Sequence, residues 1–238
     1  MEERKRPKIQ NIASFVYVFL VCPAILYIFW KGGNRNYIYY AAAMLILSFV
    51  PFLCIYRNRK PKAMEYIILL VMSLLAAGMR AAFFSLPQFK PMGAVAILTA
   101  VSLGPQAGFI CGALGMYLSN LIFGNGPWTP WQIFAYGMAG FLAGILFYGK
   151  KRPEKLILSL AGAVIIFAAT GFILDTCSIA TMSNMMDTSS ALAIYKSGIP
   201  VNLSNAAACF LALFFLGDPV LDRLERLKVK YGVMEDEI

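Results

Sequence analysis

The amino-acid sequence predicts an all-α integral membrane protein with about eight spans and both termini in the cytoplasm. Of its 238 residues, 60% are hydrophobic and only 14% are charged, a balance that a soluble chain of this length could not hide in one core. The charges are clustered, and the runs between the clusters reach the length of about 20 residues that a helix needs to cross a bilayer.

The span count follows from these apolar runs, which charge clusters or Gly and Pro turns separate. The uncharged stretch at 91–149 is long enough for about three crossings. We place the spans near residues 12–30, 37–56, 64–79, 91–103, 106–123, 130–148, 156–174 and 200–217. Because no long linker interrupts the series, we predict one membrane domain.

The distribution of Lys and Arg predicts the orientation. With the N-terminus inside, 16 of the 21 basic residues fall on the cytoplasmic side and 5 on the outer side, in the direction of the positive-inside rule. The net charge of +9 therefore reflects membrane topology. Because the basic residues form four short clusters beside the spans, with no stacking aromatics between them, we expect no nucleic-acid partner.

The residue types that the chain lacks exclude several functions. It contains no histidine, so it can form neither a Ser-His or Cys-His nucleophile nor a histidine metal cluster. We expect no catalytic residue, no metal site and no covalently bound cofactor. The span interiors carry no carboxylate of the kind that ion-coupled carriers use. Residues 144–151 nearly match a phosphate-binding loop, but Lys151 stands where Ser or Thr is required. We therefore predict a protein that is not an enzyme and has no ATPase motif of its own.

An aromatic and basic segment follows the third span on the outer side. Its candidate site residues are Arg80, Phe83, Phe84, Gln88 and Lys90. In one interpretation the two cations extend to lipid headgroups while the phenylalanines form an interfacial belt. In the other, the segment is a lid whose aromatic side chains cover a pocket and whose cations orient a ligand.

A tight turn and a helix start lie on the same side. Residues 124–127 have the turn sequence Gly-Asn-Gly-Pro. Thr129 then fits the N-cap of a helix, Pro130 its first position, and Gln132 the partner position of a capping box. Together they predict how the sixth span begins.

The same region holds side chains suited to a planar or ring-bearing ligand. Its tryptophans are also consistent with simple interfacial anchors. Stacking faces and hydrogen-bonding groups converge there, however, a mixture typical of a small-molecule site. The candidates are Asn120, Trp128, Trp131, Gln132 and, one turn further on, Tyr136.

A third polar region begins at Asp175, which ends the seventh predicted span. A polar stretch at 176–196 leads to the last helix, at whose start Asn202 and Asn205 lie three residues apart and share a face. Beyond the last span, Asp218 is placed to cap a short amphipathic helix begun by Pro219. We expect that segment to lie on the inner leaflet or against another protein.

Small residues recur at a spacing of four within several spans, as in the pairs Gly108 with Gly112 and Gly140 with Gly144. This spacing allows two helices to approach closely. We therefore predict internal helix packing at these glycines.

Several motifs occur in a fixed order from about residue 63 to residue 231. The most specific is the run Gly126-Pro127-Trp128-Thr129-Pro130-Trp131-Gln132; weaker ones are residues 80–84, 86–91 and 228–232, with Ser119, Asn120, Phe123, Gly124, Asp175 and Thr176. In this order they resemble the substrate-binding S component of energy-coupling factor (ECF) vitamin transporters. The resemblance is closest to the branch assigned to cobalamin and related corrinoids.

The resemblance implies a six-helix core, formed by the third to eighth spans, and two added helices at the N-terminus. On that basis the chain divides into a basic N-terminus with two accessory helices (1–62), a substrate-binding membrane core (63–217) and a cytoplasmic amphipathic segment (218–238). A multi-pass protein of a prokaryotic plasma membrane is expected, surrounded by the lipid bilayer.

The resemblance also implies a mechanism. S components bind a vitamin near the outer face, associate with a separate transmembrane coupling subunit and two ABC ATPases, and release the vitamin inside. Residues 80–90 would form the lid, while Ser73 and Ala77 would contact the coupling subunit. The implied ligand is cobalamin or a related corrinoid. The residues expected to bind it are Arg80, Phe83, Phe84, Gln88, Lys90, Asn120, Trp128, Trp131, Gln132, Tyr136, Asp175, Asn202 and Asn205.

Three alternatives stay open. In the first, the ligand of the S component is another vitamin, such as riboflavin or a queuosine precursor, because pocket residues that the motifs do not reveal determine the choice. In the second, the chain is a self-sufficient secondary carrier or channel for a small organic molecule. In the third, it is an intramembrane enzyme, although it offers no persuasive nucleophile or metal set.

Overall fold

The computed structural model describes Tyr56, residues 62–182 and residues 188–233, and the regular elements among these residues are helical. Contacts divide the chain into two units, Met1–Lys60 and Pro61–Ile238, and the elements below belong to the second. The spans predicted near 12–30 and 37–56 lie, Tyr56 apart, outside the described residues.

The described part of the second unit contains seven α-helices and a π-helical turn. They are α1 (Ala63–Ala82), α2 (Met92–Leu103), α3 (Pro105–Phe123), α4 (Thr129–Phe147), α5 (Lys155–Ile165), the π-turn (Ile166–Thr170), α6 (Gly171–Met182) and α7 (Thr188–Tyr231).

Within this part, five helical stretches are long and apolar enough to cross a membrane. They are Ala63–Ala82, Pro105–Phe123, Thr129–Phe147, Lys155–Ile179 and Ala191–Tyr231, and Met92–Leu103 is a shorter apolar helix. The all-α class is therefore confirmed for these residues, and their apolar helices indicate a multi-pass membrane protein. The total of eight spans and the cytoplasmic location of both termini stay predictions.

The predicted end of the seventh span near residue 174 and the predicted start of the eighth near residue 200 were wrong. Helix occupies most of the polar stretch at 176–196 that separates them. Helix α6 continues to Met182 and α7 already begins at Thr188. The hydroxyl of Thr176 bonds within the helix to the Phe172 carbonyl over 2.6 Å, and it also meets the Tyr195 hydroxyl at 2.7 Å. Because such bonds satisfy polar side chains inside helices, polarity alone did not mark a loop here.

The prediction of a separate C-terminal helix was also wrong at its start. Helix α7 runs without a break through Pro200 and Pro219, although an interior proline removes one backbone hydrogen bond. Asp218 does not cap a new helix; instead its carboxylate accepts a hydrogen bond from Arg152 Nη2 over 2.9 Å. Leu221 and Leu224 beyond it are buried, so packing holds this part of α7 in place.

Glycines bring α3 and α4 into close contact, as predicted. A methyl group added at Gly140 would overlap with the Gly108 backbone, and one at Gly112 would overlap with the Tyr136 carbonyl. Beside them, α2 is buried along nearly its whole length, consistent with a helix that is apolar all round. These contacts fix the helices that position the site.

Two ends of the helix bundle carry different chemistry. At the first, which we call the aromatic end, the last turn of α1, the last turn of α3 and the first turn of α4 meet around Arg80, Asn120 and Gln132. At the other, the basic end, Lys228 of α7 donates to the Ser102 carbonyl over 2.9 Å, and Arg152 binds Asp218. The predicted orientation places the aromatic end outside.

Candidate ligand-binding site

Arg80 lies in the last turn of α1, where α3 holds it from one side. Its Nη1 group donates to Asn120 Oδ1 over 2.7 Å and to the Met116 sulfur over 3.1 Å, and the guanidinium carbon lies 5.3 Å from the centre of the Phe123 ring. Since Met116, Asn120 and Phe123 are spaced by four and three residues, they share one face of α3. That face fixes one edge of the guanidinium.

Asn120 joins Arg80 to α4. Its side chain is fully buried. While its Oδ1 accepts from Arg80, its Nδ2 donates to Gln132 Oε1 over 3.1 Å. A buried amide whose donor and acceptor are both used is held in one orientation. We call these three side chains the Asn120 relay, and they connect α1, α3 and α4.

The capping box predicted at the start of α4 was wrong. The N-cap is Trp128, and no side chain caps the helix there. The Thr129 hydroxyl instead accepts a hydrogen bond from the Gly126 backbone N–H over 2.9 Å, which closes the preceding turn. Gln132 is not used locally because its side chain reaches Asn120 on another helix. Gln132, which was predicted to cap the helix, is therefore part of the candidate site.

Aromatic rings of the loop between α1 and α2 reach the relay through Phe123, which contacts Arg80. Phe84 stacks on Phe123 with ring centres 5.0 Å apart and an angle of 12° between the planes. Phe83 and Phe89 pair across the loop at 5.5 Å. Phe84 is 69% exposed and Trp128 is 50% exposed. Both therefore offer ring surface on which a planar ligand can stack.

The other candidate residues of this loop are Gln88 and Lys90. Gln88 has a φ of 56°, which places it in the left-handed region that residues other than glycine seldom adopt. Lys90 is half-buried. Burial, and after it the positive charge of Arg80, lowers the pKa of the Lys90 ammonium. The positive charges of Arg80 and Lys90 therefore repel each other at the aromatic end.

Trp131 and Tyr136 extend the site along α4 into the bundle. Trp131 is half-buried, whereas Tyr136 is 3% exposed and lies close enough to Arg80 for the two groups to interact electrostatically. A side chain at Gly93 would meet the Tyr136 ring. The predicted residues of α1, α3 and α4 thus form one cluster.

The predicted residues of α6 and α7 form a second cluster. Asn202 Nδ2 donates to Asp175 Oδ2 over 2.9 Å, and Gly198 leaves the room that the Asp175 carboxylate occupies. Asn202 and Asn205 are both buried, as their shared helix face predicts. The Asn205 Oδ1 atom has no hydrogen-bond partner among the described residues. No hydrogen bond among those residues joins Asp175 or Asn202 to the Asn120 relay.

Sequence reasoning missed some residues of both clusters. Met116 and Phe123 hold Arg80, and their helical spacing from Asn120 is the signal that could have identified them. Tyr195 contacts Thr176 and stacks on Phe172 with ring centres 5.9 Å apart. That pair has no signal in the sequence, because the two aromatic residues lie on different helices.

Ser73 and Ala77, the expected contacts of a coupling subunit, lie on the inner face of α1. Ser73 is fully buried and Ala77 is 4% exposed, and the neighbouring glycine Gly115 of α3 packs against the Ser73 carbonyl. Both side chains therefore pack within this chain, and their contact with a coupling subunit stays a prediction. Small residues at this spacing served internal packing, as they did in α3 and α4.

These features define a multi-pass helical membrane protein with a polar and aromatic cluster at one end of its bundle. A family model described as "ECF-type riboflavin transporter, S component" matches residues 65–220, which span most of the chain. The chain belongs to this family of S components.

Several curated proteins are similar in sequence to this chain over part of their length. The chain is 31% identical to a UPF0397 protein of Vibrio atlanticus and 32% identical to one of Aliivibrio salmonicida, each match covering 39% of this chain and 59% of the relative. It is 23% identical to a UPF0397 protein of Clostridium perfringens, over 59% of this chain and 74% of that one. The chain thus spans about three fifths of the first two relatives. No solved structure matches.

Proposed function

We propose that this protein is the substrate-binding subunit of an ECF-type importer. It captures a vitamin at the aromatic end and delivers it inward together with a separate transmembrane coupling subunit and two ABC ATPases. The observation that carries the proposal is the Asn120 relay, in which a buried amide orients Arg80 and Gln132 beneath exposed aromatic rings. Membership of the S-component family supports it.

The aromatic end has the groups that a ring-bearing vitamin requires. Phe84 and Trp128 offer surface on which the ring of the ligand can stack, while Arg80 and Gln132 can bind polar groups at the edge of that ring. The pair of half-buried Asp175 and buried Asn202 supplies a second set of polar atoms between α6 and α7. A large ligand in contact with both clusters would draw the two halves of the bundle together.

A corrinoid is the ligand that we propose first, and riboflavin is the second candidate. The run at 126–132 resembles the cobalamin branch of S components, and a large macrocycle suits two clusters on five helices. Riboflavin is favoured by the description of the matching family, and its flat ring system suits the exposed face of Phe84.

The outer face of α1 is a second candidate contact for the coupling subunit, besides Ser73 and Ala77. Ile67, Leu70, Val71 and Leu74 are about half exposed, and Gly78 has open space beside it. An apolar stripe that ends in an uncovered glycine suits a second membrane helix.

Binding to a double variant tests the proposed site. The full chain, purified in detergent, is assayed by equilibrium binding against cyanocobalamin, riboflavin and a queuosine precursor. We expect Trp131→Ala with Gln132→Ala to weaken binding at least tenfold, because stacking surface and the relay acceptor are both lost. The matched control is Tyr117→Ala, an exposed aromatic elsewhere on α3, which should bind as the parent does. Unchanged affinity of a correctly inserted double variant would argue against this site.

A further inference from the structure

We propose that Arg80 and Lys90 form a subsite for an oxyanion, a phosphate or carboxylate group, carried by the captured ligand. The inference rests on the proposed function, because it assigns a chemical group to the ligand of the same site. It goes further in predicting that this protein prefers the anionic member of a pair of related vitamins.

The first argument is that neither of these two cations forms a salt bridge with an acidic side chain in the part of the chain that the structure describes. The sequence from 66 to 153 contains no Asp or Glu. At the basic end, by contrast, Arg152 forms salt bridges with Asp218, Asp222 and Glu225. The atoms that contact Arg80, an amide oxygen, a thioether sulfur and a phenyl ring, carry no charge. Two like charges held together without an acid gain most from a bound anion.

The second argument is the direction in which the guanidinium is open. Both of its hydrogen bonds to side chains leave from Nη1. Arginine has five N–H donors, so those on Nε and Nη2 remain, and no described side chain accepts from them. A planar pair of donors on one edge matches the two oxygens of a phosphate or carboxylate. The buried Asn120 holds the guanidinium at Nη1 and so limits how it can turn.

The third argument concerns Lys90. Lys90 follows Phe89, whose ring contacts that of Phe83 with ring centres 5.5 Å apart, so the loop returns toward the end of α1 that carries Arg80. Burial and the charge of Arg80 also lower the pKa of the Lys90 ammonium, which means that its positive charge is disfavoured there and that an anion would relieve this. The same loop carries Phe83 and Phe84, which supply the stacking surface. A ligand with an anionic group next to its ring system fits both features.

A lipid phosphate is the other source of the same chemistry. Cations at the end of a span often extend to headgroups, and that interpretation leaves the side chain mobile. Here Asn120, Met116 and Phe123 hold Arg80 in one position. A fixed guanidinium edge favours a specific soluble ligand over a layer of exchanging lipids.

Matched ligand pairs test the subsite in the full chain in an uncharged detergent. FMN carries a phosphate that riboflavin lacks, and cyanocobalamin carries a phosphodiester that dicyanocobinamide lacks. We expect Lys90→Gln to weaken binding of the phosphate-bearing member of each pair roughly tenfold to hundredfold, and to change the affinity for the other member far less. Arg80→Lys, which loses the planar pair of donors, should have the same effect. Lys90→Arg keeps the positive charge and should bind as the parent does, and so should the control Lys196→Gln, which removes an exposed cation of α7. Equal losses for both members of a pair would overturn the subsite.

Inorganic phosphate provides a readout that needs no vitamin. Phosphate should protect the parent and Lys196→Gln against thermal unfolding more than chloride at equal ionic strength, and it should not protect Lys90→Gln. If neither vitamin pair binds the parent, the ligand choice under the proposed function fails, and this phosphate response alone decides the subsite. Equal protection of Lys90→Gln would overturn it. In a last experiment, phosphatidylglycerol is added. If it abolishes the phosphate response of the parent and has no effect on Lys90→Gln, the two cations bind lipid headgroups, and the proposed subsite is overturned.

Discussion

At the scale of single residues, Asn120 does what no other side chain of similar size could do. Its amide accepts from Arg80 and donates to Gln132 at the same time, in a position with no exposure to solvent. An aspartate would keep the acceptor but lose the donor, and it would neutralise Arg80. A leucine would leave both neighbours without their partner, at a cost typical of unsatisfied buried polar groups.

Substitution of Asn120 therefore separates orientation from charge. We expect Asn120→Leu to destabilise the protein by about 1–3 kcal/mol and to weaken ligand binding as well. Asn120→Asp should keep more of the stability, yet it should bind an anionic ligand as poorly. Thermal unfolding in detergent and equilibrium binding measure the two effects. The control is Asn125→Leu, at an exposed position of the neighbouring turn, and a loss of stability there equal to that of Asn120→Leu would contradict the role of the relay.

At the scale of elements, the packing of α3 on α4 fixes the distance between the parts of the site. Asn120 lies near the end of one helix and Gln132 near the start of the other, and glycines further along both helices let the backbones touch. Any increase in the separation of these helices would lengthen the bond between Asn120 and Gln132. The close packing and the ligand site are therefore linked.

A pair of glycine substitutions tests this link. A methyl group at Gly140 would overlap with the Gly108 backbone, whereas one at Gly78 has open space. We expect Gly140→Ala to cost about 1–3 kcal/mol and to weaken binding, while Gly78→Ala should be neutral or slightly stabilising because alanine favours helix. Thermal unfolding in the same detergent compares them. Two variants of equal stability would show that the close contact does not matter.

The elements also show how far sequence reasoning reached. Helices α1 to α4 begin and end within three residues of the predicted spans, because charges or Gly and Pro residues flank each apolar run. The unbroken course of α7 and the continuation of α6 to Met182 were missed. The polar residue Thr176 makes hydrogen bonds within its own helix and to the neighbouring one, so polarity did not indicate a loop. Arg80, Asn120 and Gln132 were each predicted as site residues. Their pairing was not, because bonds across helices leave no periodic pattern in the chain.

At the scale of the whole molecule, the groups able to hold a ligand and the charged contacts of α7 lie at opposite ends. The aromatic end gathers Arg80, Lys90 and the exposed rings, while at the basic end Arg152 bonds to Asp218 and Asp222 over 2.9 and 2.5 Å. The sequence near residues 144–151 does not complete a phosphate-binding loop. These features agree with the proposed capture subunit, which would depend on other proteins for energy.

The most direct test of this account is transport by the chain alone. The purified protein is reconstituted into liposomes with cyanocobalamin or riboflavin outside, with and without ion gradients. The same assay is then repeated with the coupling subunit and two ATPases of the same organism and with ATP. We predict that the chain alone binds ligand but does not accumulate it beyond the bound amount, and that accumulation appears only with the complete complex and ATP. Concentrative uptake by the chain alone would contradict its assignment as a capture subunit.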